Sequence, residues 1–184
     1  MTLIGREKCI LDFVKGKQEI KDQEKLDCKI QAAELLKTCN FGEDYLSVAL
    51  CHDLMGKKDV SEEVLLELVG TEAFKAIKII DARQDPNLGT KQYLEMVKGN
   101  EIANAAMTAT LACTLNMAVN ATNDVRDLLI FKSEKYYLKF VEGTPGYLFV
   151  KEGYDALKAS NQINQPDLIN QVDQINQPIQ LETV

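Results

Sequence analysis

The chain of 184 residues has one histidine, no tryptophan and four prolines. A single imidazole excludes a histidine-rich metal cage and any catalytic histidine pair, so His52, if it does chemistry, works with unlike partners. No window approaches about 18 consecutive apolar residues, and residues 1–8 lack the basic and apolar regions of a signal peptide, so a cytoplasmic protein with no membrane partner is expected. Cations are in the minority as well. Twenty-one Lys and Arg against 28 Asp and Glu leave a formal charge of −7, which argues against a nucleic-acid partner.

There is an ordinary supply of core material. With 46% hydrophobic and 27% charged residues, the chain can build one sizeable core, and collagen-like, disulfide-scaffold and wholly disordered classes are excluded. Cys9, Cys28, Cys39, Cys51 and Cys113 are odd in number and widely spaced. They read as free thiols in a reducing compartment, most of them small buried hydrophobes.

From Ile4 to about Ser160 apolar residues return at helical spacing and nothing reads as a strand, which predicts an all-α domain over residues 1–160. Ile10, Phe13 and Val14 form one stripe, Ile30, Ala33, Leu35 and Leu36 a second, and Leu46, Ala49, Leu50 and Cys51 a third after the break at Asn40–Glu43. Asp59 with Glu62 suggests the start of a fourth helix, closed by Gly70, and Thr71 opens a fifth. Asp85–Gly89 is a turn cluster, Asn100 an N-cap for a long Ala-rich helix, and Thr144-Pro145-Gly146 precedes a last helix running to about Leu157. Lys132, Lys135 and Lys139 read as a solvated face, and Asp124–Asp127 as a source of surface ion pairs.

Residues 161–184 differ in kind. A six-residue Ile-Asn-Gln repeat starts at Ile163, Ile169 and Ile175, with Pro166 and Pro178 opposing a helix. Three copies bury too little to order a backbone, so an extended or flexible tail is expected, offering those isoleucines to a protein partner or to self-association.

One segment could carry chemistry. Tyr45–Asp53 ends in an adjacent His52 and Asp53 on an apolar run, preceded by Cys28–Leu36 and followed by Val60–Gly70, Ala76–Ile80 and Ala109–Asn116. In order and spacing these segments resemble the HD-domain superfamily, in particular the RelA/SpoT-type domain that hydrolyses guanosine tetraphosphate and its small stand-alone relatives, over about Ile10 to Glu142. The resemblance implies an HD-like bundle of short helices. It also implies a four-ligand divalent metal centre whose positions here read Cys28, His52, Asp53 and Cys113, where the family has His, His-Asp and Asp.

The departures bear on activity. The family's Glu-Asp pair after the signature is Gly56 and Lys57 here, and an ammonium cannot serve as a carboxylate general base. Where the family places two guanine-contacting cations this chain has Ile20 and Lys21. Two readings of the cysteines compete: loss of the metal, with Cys filling the space, and a ligand swap to zinc or manganese at a Cys-His-Asp-Cys site. The first is favoured, because Cys39 and Cys51 align with no ligand. The expectation is a catalytically inactive HD-fold binding or interaction module with no cofactor and no assigned catalytic residue, retaining a small-nucleotide pocket near His52 and Lys57, with Lys21 and Lys57 as the ligand-binding residues. The alternative is a divergent metal-dependent nucleotide phosphohydrolase.

Overall fold

The computed structural model describes residues 5–17, 23–55, 57 and 59–163, so Lys21 and the repeats beyond residue 163 lie outside the described residues. Among the described residues, ten α-helical segments run in chain order: α1 (Arg6–Lys17), α2 (Gln23–Thr38), α3 (Glu43–Cys51), α4 (Glu62–Val69), α5 (Thr71–Asp81), α6 (Thr90–Lys98), α7 (Glu101–Met117), α8 (Asn123–Lys132), α9 (Leu138–Val141) and α10 (Tyr147–Ile163). There is no strand among the described residues, and the all-α expectation holds.

The helix ends follow local chemistry. The Asn100 side chain accepts the backbone N–H of Ala103 at 2.9 Å, capping α7 as expected. Gly70, at φ +80°, closes α4 and opens α5 in a conformation that costs a side-chain-bearing residue energy. The start of α4 differs from expectation: Ser61 rather than Asp59 accepts from Val64, and Asp59 occupies the left-handed region at φ +63° in the preceding turn. The last helix also runs to Ile163, beyond Leu157 and three residues into the segment read as tail, because Ala159, Ser160 and Asn161 extend it without a breaker.

α7 is the central element, packed by α2, α3, α5, α6 and α10. Its stretch Glu101–Asn120, of mean hydropathy 1.4, has the length and composition to cross a membrane; in this fold it is the core helix. Small side chains make that position possible. A Cβ added at Gly153 on α10 would stand 3.1 Å from Leu115 Cβ and 3.3 Å from the Ala112 carbonyl, so the two helices approach almost backbone to backbone.

Two expectations about surface residues are corrected. Cys51 and Cys113 are buried and Cys28 half-buried, but Cys9 and Cys39 are exposed, on the outer side of α1 and just past the end of α2. Arg126, read as a surface ion-pair residue, is 6% exposed and turns inward to donate to the Val119 carbonyl at 3.2 Å and to Asn123 Oδ1. There it satisfies the Val119 carbonyl of the 3-10 turn Ala118–Asn120.

Candidate functional site

α3 ends at Cys51, so His52 and Asp53 lie in the turn after it. The backbone N–H of His52 still bonds to Val48 O at 3.0 Å, and Asp53 then takes φ +69°. This places the pair opposite the end of α5, whose last residue, Asp81, is buried and accepts the Asp53 backbone N–H on Oδ1 at 2.8 Å. The 3-10 turn Ala82–Gln84 then swings Arg83 round so that Nη2 meets Asp53 Oδ1 at 3.0 Å.

The His52 ring is buried yet loosely held. Nδ1 stands 3.4 Å from Asp53 Oδ2 in a geometry too poor for a hydrogen bond, and Nε2 stands 3.4 Å from Thr110 Oγ1. Asp81 Oδ2 has no hydrogen-bond partner either. Donor atoms of His52, Asp53 and Asp81 gather within 4.8 Å of one another, a grouping that could hold a cation.

A cation is built in close by. Lys29, on α2, is 3% exposed and donates through Nζ to the His52 backbone carbonyl. It belongs to the inward stripe Leu26, Lys29, Ala33, Leu36, so the helical period buries its stem with the core. Burial lowers its pKa and the Lys57 charge adds to that, while the charges of Asp53 and Asp81 act in the opposite sense without reversing it.

The carboxylates divide accordingly. Burial alone would raise Asp53, but His52, Arg83 and Lys29 outweigh it and hold the group well below the usual range. Asp81 is raised by burial and by the neighbouring Asp53 charge, against the pull of the Asp53 N–H.

Of the residues singled out in the sequence, Cys28, His52 and Asp53 line one cleft of about 610 Å³, together with Glu24, Lys25, Lys29, Arg83, Thr110, Thr114 and the apolar Met117, Val125 and Leu129. Cys28 Sγ lies 3.5 Å from Thr114 Oγ1 and belongs to no cation-binding group among the described residues. Cys113 is buried and does not line the cleft; Thr110 and Thr114, one turn apart on α7, present the face that meets His52 and Cys28. Burial pushes the Cys113 thiol up to about 12 and raises Cys28 too, so both favour the protonated form, which is a poor metal ligand. Lys57 sits in the turn after Leu54, its backbone N–H bonded to Leu54 O at 3.1 Å, and does not line the cleft.

Sequence reasoning passed over Lys29, Asp81 and Arg83. Lys29 could have been found as the one charged member of an apolar i, i+3, i+4 stripe. Asp81 could have been found as an acid ending the amphipathic run Ala73, Ala76, Ile77, Ile80. Comparison with protein-family models, curated proteins and solved structures yields no match for this chain.

Proposed function

We propose that this chain is an HD-like helical scaffold in which a fixed internal cation has taken over the electrostatic task of a metal ion, leaving a binding module for a small phosphorylated ligand in place of a hydrolase. The observation that carries the reading is Lys29: its buried ammonium is hydrogen-bonded at His52 and within electrostatic reach of Asp53 and Asp81. A divalent ion at that cluster would face a like charge in a low-dielectric setting, where repulsion is strong. Arg83 further occupies Asp53.

The cleft suits a nucleotide-sized molecule. Lys25 and Arg83 offer cations for phosphate oxygens, and Met117, Val125 and Leu129 offer an apolar wall for a ring. Of the carboxylates beside His52, Asp53 is ion-paired and Asp81 is buried against the Asp53 amide, so neither is disposed to activate water; Glu24 also lines the cleft.

One specific observation favours the second reading, a divergent metal-dependent nucleotide phosphohydrolase. The unpartnered Nδ1 of His52 and Oδ2 of Asp81 are the atoms a zinc or manganese ion would take, in a ligand set that has Asp81 and neither cysteine. The two readings separate in one experiment. Guanosine tetraphosphate and GTP are titrated by calorimetry with and without manganese, and turnover is followed in the same samples. Binding without metal and without turnover, weakened about tenfold by Lys25→Gln, supports the binding module. Manganese-dependent turnover abolished by Asp53→Ala overturns it.

A further inference from the structure

A second cavity, of about 360 Å³, shares Arg83 with the His52 cleft and no other residue. Its walls carry Tyr93, Tyr136 and Tyr137, half of the chain's six tyrosines. Arg83 and Lys132 supply two positive charges, and no carboxylate lines it.

The way this wall is built is unusual. Between α8 and α9 the helix opens into a π-turn over Ser133–Tyr137 that begins at the fully buried Ser133. One extra residue in the turn rotates the succeeding helix by about 100°, and such turns are rare and concentrated at functional positions. Here the turn brings two successive tyrosines, Tyr136 and Tyr137, to the same cavity.

The polar groups in the wall have capacity to spare. Arg83 uses Nη2 on Asp53, and a guanidinium has further N–H donors. Lys132 makes no ion pair among the described residues, and the hydroxyls of Tyr136 and Tyr137 make no hydrogen bond there. Tyr93 donates to the Ile80 carbonyl at 3.1 Å, so its ring is fixed as a surface against which something can stack. Burial raises the Tyr137 hydroxyl, which Arg83 opposes, and it remains a neutral donor at pH 7.

We infer that this cavity binds a small anion carrying a planar ring, of the aryl phosphate or aromatic carboxylate class, with the anionic head on Arg83 and Lys132 and the ring among Tyr93, Tyr136 and Tyr137. Two cations with neutral hydroxyl donors select the head. Three aromatic faces select the ring. The volume of about 360 Å³ admits a molecule of that size. The site shares Arg83 with the proposed nucleotide cleft, whereas Lys132 and Tyr137 line this cavity alone, so variants there leave the cleft's lining untouched.

The chain has no tryptophan, so its ultraviolet emission comes from tyrosine and half of the emitting side chains line this cavity. The experiment titrates phenyl phosphate, benzoate, inorganic phosphate and benzyl alcohol separately, following tyrosine emission and heat. Phenyl phosphate or benzoate is expected to bind saturably and change the emission, with whichever binds more tightly identifying the head group. Inorganic phosphate and benzyl alcohol are expected at least about tenfold weaker, since each lacks one half of the ligand. Lys132→Gln, with unchanged circular dichroism, is expected to weaken the aryl anion about tenfold while guanosine tetraphosphate binding stays as in the parent protein. Tyr137→Phe, which keeps the ring and removes a donor, is expected to weaken it a few-fold. Absence of saturable binding, equal binding of inorganic phosphate, or an aryl anion indifferent to Lys132→Gln overturns the assignment.

Discussion

Asp53 and Asp81, 28 positions apart in sequence, are joined by a 2.8 Å hydrogen bond from the backbone N–H of the first to Oδ1 of the second. The bond holds Asp53 at φ +69°, a conformation that costs about 1 kcal/mol for a residue with a side chain. It also sets two carboxylates against each other in a buried site, with Lys29 and Arg83 as the compensating charges.

Asp81→Asn is therefore expected to stabilise the fold at pH 7, because it keeps the acceptor and removes a disfavoured buried charge. The sign of the pH dependence comes from the two shifts. Asp81, raised in the folded state, holds its proton more tightly when folded; its ionised form costs stability above the folded value, and the cost disappears as pH falls toward the ordinary Asp range. Asp53, lowered in the folded state, contributes stability that is present above the ordinary Asp value and is lost as pH falls below it. Urea denaturation from pH 3 to 8 should show the parent gaining from the first effect and then losing to the second. Asp81→Asn should show only the loss. A variant less stable than the parent at pH 7 would mean that the Asp81 charge is needed.

The thiols give a second prediction. Cys9 and Cys39 are exposed, Cys28 is half-buried, and Cys51 and Cys113 are buried with pKa values pushed up to about 12. An aromatic disulfide reagent at pH 8 should modify two cysteines quickly, a third slowly, and the last two only on unfolding. Rapid labelling of Cys113, or protection of Cys28 by added zinc, would favour the ligand-swap reading.

Close helix packing gives a third. A Cβ at Gly146 would stand 2.3 Å from Thr108 Cγ2 on the central helix, a clash that only movement of Thr108 or of the turn can relieve. Gly146→Ala should cost about 2 kcal/mol in urea denaturation, as overpacking of a buried contact does. Gly89→Ala, where an added Cβ meets nothing within 4 Å, is the control and should cost far less. Equal losses would show that the clash is not the cause.

Much of the helical order was legible because its signals are local. Asn100 is followed by a periodic apolar run, Gly70 separates two such runs, and Thr144-Pro145-Gly146 ends one, so each boundary could be read from a few neighbouring residues. The start of α4 was misjudged by two residues because Asp59 and Ser61 are both capable caps and only the chain path chooses between them. The His52–Asp53 pair was visible as a dipeptide. Its setting was not, since Lys29, Asp81 and Arg83 reach it from two other elements and owe their places to packing. The π-turn at Ser133–Tyr137 was equally hidden: the sequence there keeps ordinary helical spacing, and the extra residue is accommodated only against the core.

The most direct test of Lys29 as the resident cation is an equilibrium titration of manganese and zinc into metal-free protein and into its Lys29→Met variant. Met keeps most of the stem's volume and removes the charge. The parent should take up no stoichiometric metal. The variant should be destabilised by about 2 kcal/mol, through the orphaned His52 carbonyl and the uncompensated carboxylates, and should gain one divalent site that Asp81→Asn removes. One equivalent of metal on the parent protein, lost in His52→Ala, would contradict the account.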